Sequence, residues 1–78
     1  MKVYHVETQQ SYDELMIQLE EKGCKWRNGE KPTKLNKFKR YRKDICVYEE
    51  YGEITLSGIE YFKKYHSDET LIEYKAKG

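Results

Sequence analysis

Two histidines and two cysteines are the whole stock of the usual acid–base and nucleophilic side chains in these 78 residues. His66-Ser67-Asp68 has the letters of a catalytic triad. Triad members must converge with the imidazole between the other two, which neighbours at a helix end cannot do with one another. No Gly-rich loop opens a helix, so neither a P-loop nor a dinucleotide fingerprint is present. His5, His66, Cys24 and Cys46 form no C-x-x-C or H-x-x-x-H pair, the spacing that makes zinc motifs specific. Cysteines beside strands then read as small core residues, with no metal and no cofactor expected. A Cys24–Cys46 disulfide is not expected in a reducing cytosol. No apolar run approaches the roughly 20 residues of a membrane span, and Met1 to Glu7 lacks the pattern of a signal peptide. The expectation is a soluble, cytoplasmic, non-enzymatic protein.

The chain is too short for two domains, so residues 1–78 are read as one. Charged and hydrophobic residues each make up 37%. The aromatic share, 14% with eight tyrosines, argues against disorder, which is poor in aromatics. The net charge of +1 hides a strong asymmetry. Residues 1–24 carry a net −3 and residues 44–78 a net −4. Between them, residues 25–43 hold nine basic groups against Glu30 alone, a net of +8. That basic centre between acidic flanks is the main functional clue.

Val3 to Val6 is a run of β-formers and predicts a strand. Ser11-Tyr12-Asp13-Glu14 has the form of a capping box. Tyr12, Leu15, Met16 and Leu19 then fall on one helical face, which predicts a helix from Tyr12 to Lys22 closed by Gly23. Cys24-Lys25-Trp26 starts a second strand, Asn28-Gly29 marks a turn, and Pro32 interrupts regular structure. From Lys34 to Lys43 the pattern fits both a helical turn (Leu35, Phe38, Tyr41) and a strand (Phe38, Arg40, Arg42). Ile45 to Tyr48 and Ile54 to Leu56 flank a loop with Gly52, a β-hairpin. Ile45 and Val47 would share a face and pair with Ile54 and Leu56. Ser57 is expected to cap a short helix with Ile59 and Phe62 inward, ended by His66-Ser67-Asp68. Thr70 to Lys75 forms a last strand, with Ile72 and Tyr74 on one face.

These elements predict an α+β fold: a small, mostly antiparallel sheet of four to five strands with one packed helix and a second short helix. The expected core draws on Val3, Val6, Leu15, Met16, Leu19, Ile45, Val47, Ile54, Leu56, Ile59, Phe62, Leu71 and Ile72. Folding at this length buries only about 60–65% of the unfolded chain's surface, so modest stability is expected. Several tyrosines must lie at the surface, and homodimerisation would cover them.

The chain resembles a group of small, uncharacterised proteins encoded by tailed phages and prophages of Firmicutes. The resemblance rests on Val3-Tyr4-His5-Val6-Glu7-Thr8, Tyr12-Asp13 with Leu15-Met16, and Leu19-Glu20-Glu21-Lys22-Gly23. It continues through Lys25-Trp26, Gly29, Lys31-Pro32-Thr33 and Ile72-Glu73-Tyr74-Lys75. It implies a phage accessory protein in the host cytoplasm that acts without catalysis, by binding host or defence components. It carries no functional residue across.

The candidate site is the segment from Trp26 to Lys43. Cations neutralise phosphates, and arginine does so with a bidentate fork. Aromatic faces stack on bases. Arg27, Lys37, Lys39, Arg40, Arg42 and Lys43 are the candidate phosphate ligands, and Trp26 and Tyr41 the candidate stacking rings. Two ligand classes stay open: a nucleotide or nucleic acid that the protein sequesters or blocks, and an acidic surface of a host or defence protein that it inhibits. The bland alternative is a solvated loop whose Lys and Arg stems cover the sheet.

Overall fold

A computed structural model describes residues 1–77. Strand β1 (Lys2–His5) leads into helix α1 (Gln9–Glu21) and a two-residue strand β2 (Lys25–Trp26). A 3-10 turn at Pro32–Lys34, one helical turn α2 (Phe38–Tyr41) and a 3-10 turn at Arg42–Asp44 follow. Strands β3 (Ile45–Glu50) and β4 (Glu53–Gly58), helix α3 (Ile59–Tyr65) and strand β5 (Leu71–Glu73) complete the described chain. The five strands form one sheet in the order β2-β4-β3-β1-β5. No helix among the described residues is long and apolar enough to cross a membrane.

The fold is α+β as expected, but the sheet is mixed. The central β4-β3-β1 pairs are antiparallel, whereas β5 runs parallel to β1 and β2 parallel to β4. Each outer strand is reached through a helix, β1-α1-β2 and β4-α3-β5, so each returns in the direction it left. The two crossovers travel in opposite directions along the sheet. With both right-handed, their helices must lie on opposite faces.

The core divides accordingly. On one face, Leu15, Met16 and Leu19 of α1 pack with Tyr4, Trp26, Val47 and Ile54. On the other, Phe62 of α3 packs with Val3, Cys46 and Tyr48, with Ile59 and Leu71 beside them. Alternation along β3 sends Ile45 and Val47 to the first face and Cys46 and Tyr48 to the second. Cys24 belongs to the first cluster and Cys46 to the second, and both thiols are free. Burial pushes both up, Cys46 to about 11, so neither is a ready nucleophile. Ile72, expected in the core, is 38% exposed, because it lies on an edge strand beyond the reach of α1.

Both expected serine caps move. Thr8, in extended conformation, caps α1 by accepting the Ser11 amide at 3.1 Å, so the helix starts earlier, at Gln9. Ser11 is buried instead, and its hydroxyl oxygen accepts the Ala76 amide at 3.0 Å, fastening the C-terminal segment to α1. Ser57 stays inside β4, its hydroxyl 2.7 Å from that of Tyr48, and Gly58 takes the cap position without a side-chain bond. In both places an extended backbone with the right spacing lay one or more residues from the serine.

The hairpin is tighter than expected. Glu50 pairs with Glu53, leaving only Tyr51-Gly52 as the turn. Val47 lies opposite Leu56 as expected, whereas Ile45 faces Gly58 and Ile54 faces Glu49. Tyr51 and Gly52 have φ of +54° and +82°, the type I′ geometry that suits strand twist but favours Asn or Gly at both places. A tyrosine there is strained, and its side chain is fully exposed. Tyr51→Asn is therefore expected to raise the thermal midpoint by roughly 5 °C. An unchanged or lower midpoint would show that the turn stores no strain.

His5 joins three elements. Its Nδ1 lies 2.6 Å from Glu73 Oε1 on β5, and its Nε2 lies 2.6 Å from the Lys43 carbonyl oxygen before β3. Both partners are acceptors, so the ring serves both only when doubly protonated. Burial works against that charge, but the bonds to Glu73 and to the Lys43 carbonyl, with the charges of Glu73 and Glu7, outweigh it and raise the pKa above 6.5. Glu7 brings a third potential ligand atom within 4.8 Å, but both ring nitrogens are already engaged, which makes the group an ion pair. A raised folded-state pKa gives stability that is complete below pH 6.5 and is lost as pH rises through the folded value. The denaturant midpoint should fall across that rise in the wild type. Glu73→Gln should flatten the fall, and equal slopes in the two proteins would refute the ion pair.

Candidate functional site

The segment from Glu30 to Asp44 is held against α1 and β2 by named bonds. The Trp26 indole N–H donates to the Pro32 carbonyl at 3.3 Å. Glu20 accepts the Thr33 amide at 3.1 Å and the Thr33 hydroxyl at 2.7 Å. Tyr12 matters most: its hydroxyl donates to the Leu35 carbonyl at 3.2 Å and accepts the Lys37 amide at 3.1 Å. Burial pushes the Tyr12 phenol up, so it stays neutral and can do both. Neither alternative holds throughout 34–43: Leu35 is extended and only Phe38–Tyr41 makes an α-helical turn, but Leu35, Phe38 and Tyr41 all pack against the α1 cluster, with Phe38 centred 5.9 Å from the Tyr12 ring.

This anchoring gathers four of the eight predicted residues. Trp26, Arg27, Lys37 and Arg40 line one groove of about 340 Å³, with Ile54 and Leu56 in its floor. Among the described residues no carboxylate lines it. Lys37 Nζ sits 4.5 Å from the Trp26 ring centre, a cation over an aromatic face. Arg27 donates through Nε to Glu53 at 3.2 Å, yet 77% of its side chain is exposed and its fork remains accessible. Trp26 is only 3% exposed, so the ring is chiefly a core residue and only its margin meets the groove. Lys39, Arg42 and Lys43 are exposed but line no part of this groove.

Tyr41 lies elsewhere. Its ring stands 3.1 Å from where a Cβ on Gly58 would be, so a larger residue at 58 would press on the ring. It lines a second groove, of about 450 Å³, with Tyr48, Tyr61, His66, Arg27 and Glu50 among the walls. The His66 ring lies between two tyrosines, 5.3 Å from Tyr48 and 5.7 Å from Tyr61. Tyr61 is 51% and Tyr65 57% exposed. Tyr48, Tyr61 and His66 were not among the sequence candidates, since they are scattered over β3 and α3. The available signal was on α3: Ile59 and Phe62 take the inward face, which leaves Tyr61 and Tyr65, four apart, turned outward.

Between the grooves runs an uncovered strand edge. Strand β2 pairs only with Glu53 and Ile54 of β4. The Lys25 amide donates to the Gly52 carbonyl and the Arg27 amide to the Ile54 carbonyl, so Leu56 is the next residue whose backbone polar groups point outward. Among the described residues no strand lies there to meet them.

No protein-family model, curated protein or solved structure matches the chain.

Removing the Tyr12 hydroxyl tests the anchoring. Tyr12→Phe keeps the buried ring but strands the Leu35 carbonyl and the Lys37 amide, at a cost of about 1–2 kcal/mol. Amide exchange of residues 35–41 should accelerate while that of β3 and β4 stays slow. Uniform exchange across both regions would show that Tyr12 does not hold the segment.

Proposed function

We propose that this protein acts by binding, without catalysis, and that it sequesters or blocks a phosphate-bearing ligand, a nucleotide or nucleic acid, held in the groove of Trp26, Arg27, Lys37 and Arg40. The observation that carries this reading is the composition of that groove among the described residues: three cations, no carboxylate and an apolar floor. Lys37 and Arg40 have no carboxylate partner in the groove, Arg27 keeps its fork free beside its bond to Glu53, and the fork of arginine suits phosphate. Lys37 over Trp26 would shift to meet the phosphate, baring more of the ring.

A second reading has its own support. The outward Leu56 backbone could pair with an added strand, and an acidic segment of a protein would find Arg27, Lys37 and Arg40 beside it. Both readings place the ligand on the same wall of the molecule, and both make the protein a blocker. A phage accessory role, implied by the resemblance, agrees with either and rests on the residues quoted for it.

Trp26 is the only tryptophan, so its fluorescence reports on the groove. Titration with a nucleoside triphosphate should change that emission saturably. Lys37→Glu with Arg40→Glu should weaken binding by about 100-fold, whereas Lys63→Glu with Lys64→Glu should leave it intact. Silence toward every nucleotide, with saturable binding of a poly-glutamate peptide, would replace the first reading by the second.

A further inference from the structure

The two grooves are one surface. They share Arg27, Thr55 and Leu56, and together they wrap around the uncovered edge of β4. Each has what the other lacks. The basic groove holds three cations, but its one ring, Trp26, is buried beneath Lys37. The aromatic groove holds Tyr41, Tyr48, Tyr61 and His66, but among the described residues Arg27 is its only Lys or Arg side chain, with Glu50 on the same wall. A ligand confined to the first meets charge without stacking, and one confined to the second meets stacking with little charge.

We infer that the ligand is a single-stranded nucleic acid that passes over the β4 edge, with its phosphates on Arg27, Lys37 and Arg40 and bases against Tyr61, His66 and Tyr41. The inference rests on the phosphate-binding reading above and specifies its ligand. A single strand is the ligand that repeats anion and flat apolar ring along one chain. Its bases must be unstacked to reach the tyrosines, which excludes a paired duplex. A strand of about four nucleotides, the lower end for small single-strand binders, suits a site of two adjoining grooves. The half-buried His66 keeps Tyr48 and Tyr61 apart, and Tyr61, half exposed, is the ring a base would meet first. None of these contacts reads a base edge, so little sequence preference is expected.

The test is fluorescence anisotropy with a labelled eight-nucleotide oligothymidylate, set beside thymidine monophosphate and an eight-base-pair duplex. The single strand should bind at least about 100-fold more tightly than the monophosphate and about tenfold more tightly than the duplex. Three neutralised phosphates give a slope of log K against log salt of about −2. Tyr61→Ala should weaken the oligonucleotide about tenfold and leave monophosphate binding unchanged, while Lys37→Glu with Arg40→Glu should weaken both. Tyr61→Phe, which keeps the ring, should bind like the wild type. Equal affinity for strand and duplex, or a Tyr61→Ala protein that binds the strand normally, would overturn the inference and leave phosphate binding standing. Failure of all three probes would overturn the phosphate-binding reading itself.

Discussion

One phenol positions the cationic wall of this protein. Tyr12 projects from α1 and meets the Leu35 carbonyl and the Lys37 amide, two backbone groups on either side of Asn36. That clamp holds residues 35–37 of a segment carrying nine positive charges in nineteen residues, while Trp26 and Glu20 hold its start at Pro32 and Thr33. With it, Phe38 is laid on the Tyr12 ring and Lys37 is brought over Trp26. Arg40 then falls on the same side as Arg27. The price of gathering like charges is met by core packing on the other face of the segment, and the charges are left facing outward.

Element lengths provide the rest of the surface. The chain spends thirteen residues on α1 but only two on β2, so one sheet face is covered while the far edge of β4 is not. Seven residues of α3, about 10 Å of helix, cover only part of the opposite face. The incomplete cover on both sides falls at the same strand, which is why the basic and the aromatic groove adjoin. A longer β2 would satisfy the Leu56 backbone and close the path between them.

Much of this was legible in the sequence, for identifiable reasons. The α1 face, the hairpin and the Asn28-Gly29 turn depend on local periodicity and on glycine conformations, which neighbouring residues specify. The caps were displaced because Thr8 and Ser11 stand at the same spacing from two plausible starts, and burial of Ser11 by the Ala76 segment decides between them. Strand direction was not legible. Parallel edges follow from two helical crossovers, and nothing local distinguishes them from antiparallel returns. The basic half of the proposed site could be read because its residues are close in sequence. Even so, Lys39, Arg42 and Lys43 fall outside the groove, and Trp26 is buried opposite Ile54. The aromatic half was hidden because Tyr48 and Tyr61 meet only through His66, across two elements.

The central claim is that ligand binds along the uncovered edge of β4. Amide chemical-shift mapping of isotope-labelled protein with a short single-stranded oligonucleotide tests it most directly. The account predicts shifts at Arg27, Lys37, Arg40, Thr55 and Leu56, continuing to Tyr61 and His66, with α1 outside Tyr12 and strand β5 unmoved. Shifts confined to Lys39, Arg42 and Lys43, or spread over the surface without focus, would contradict it.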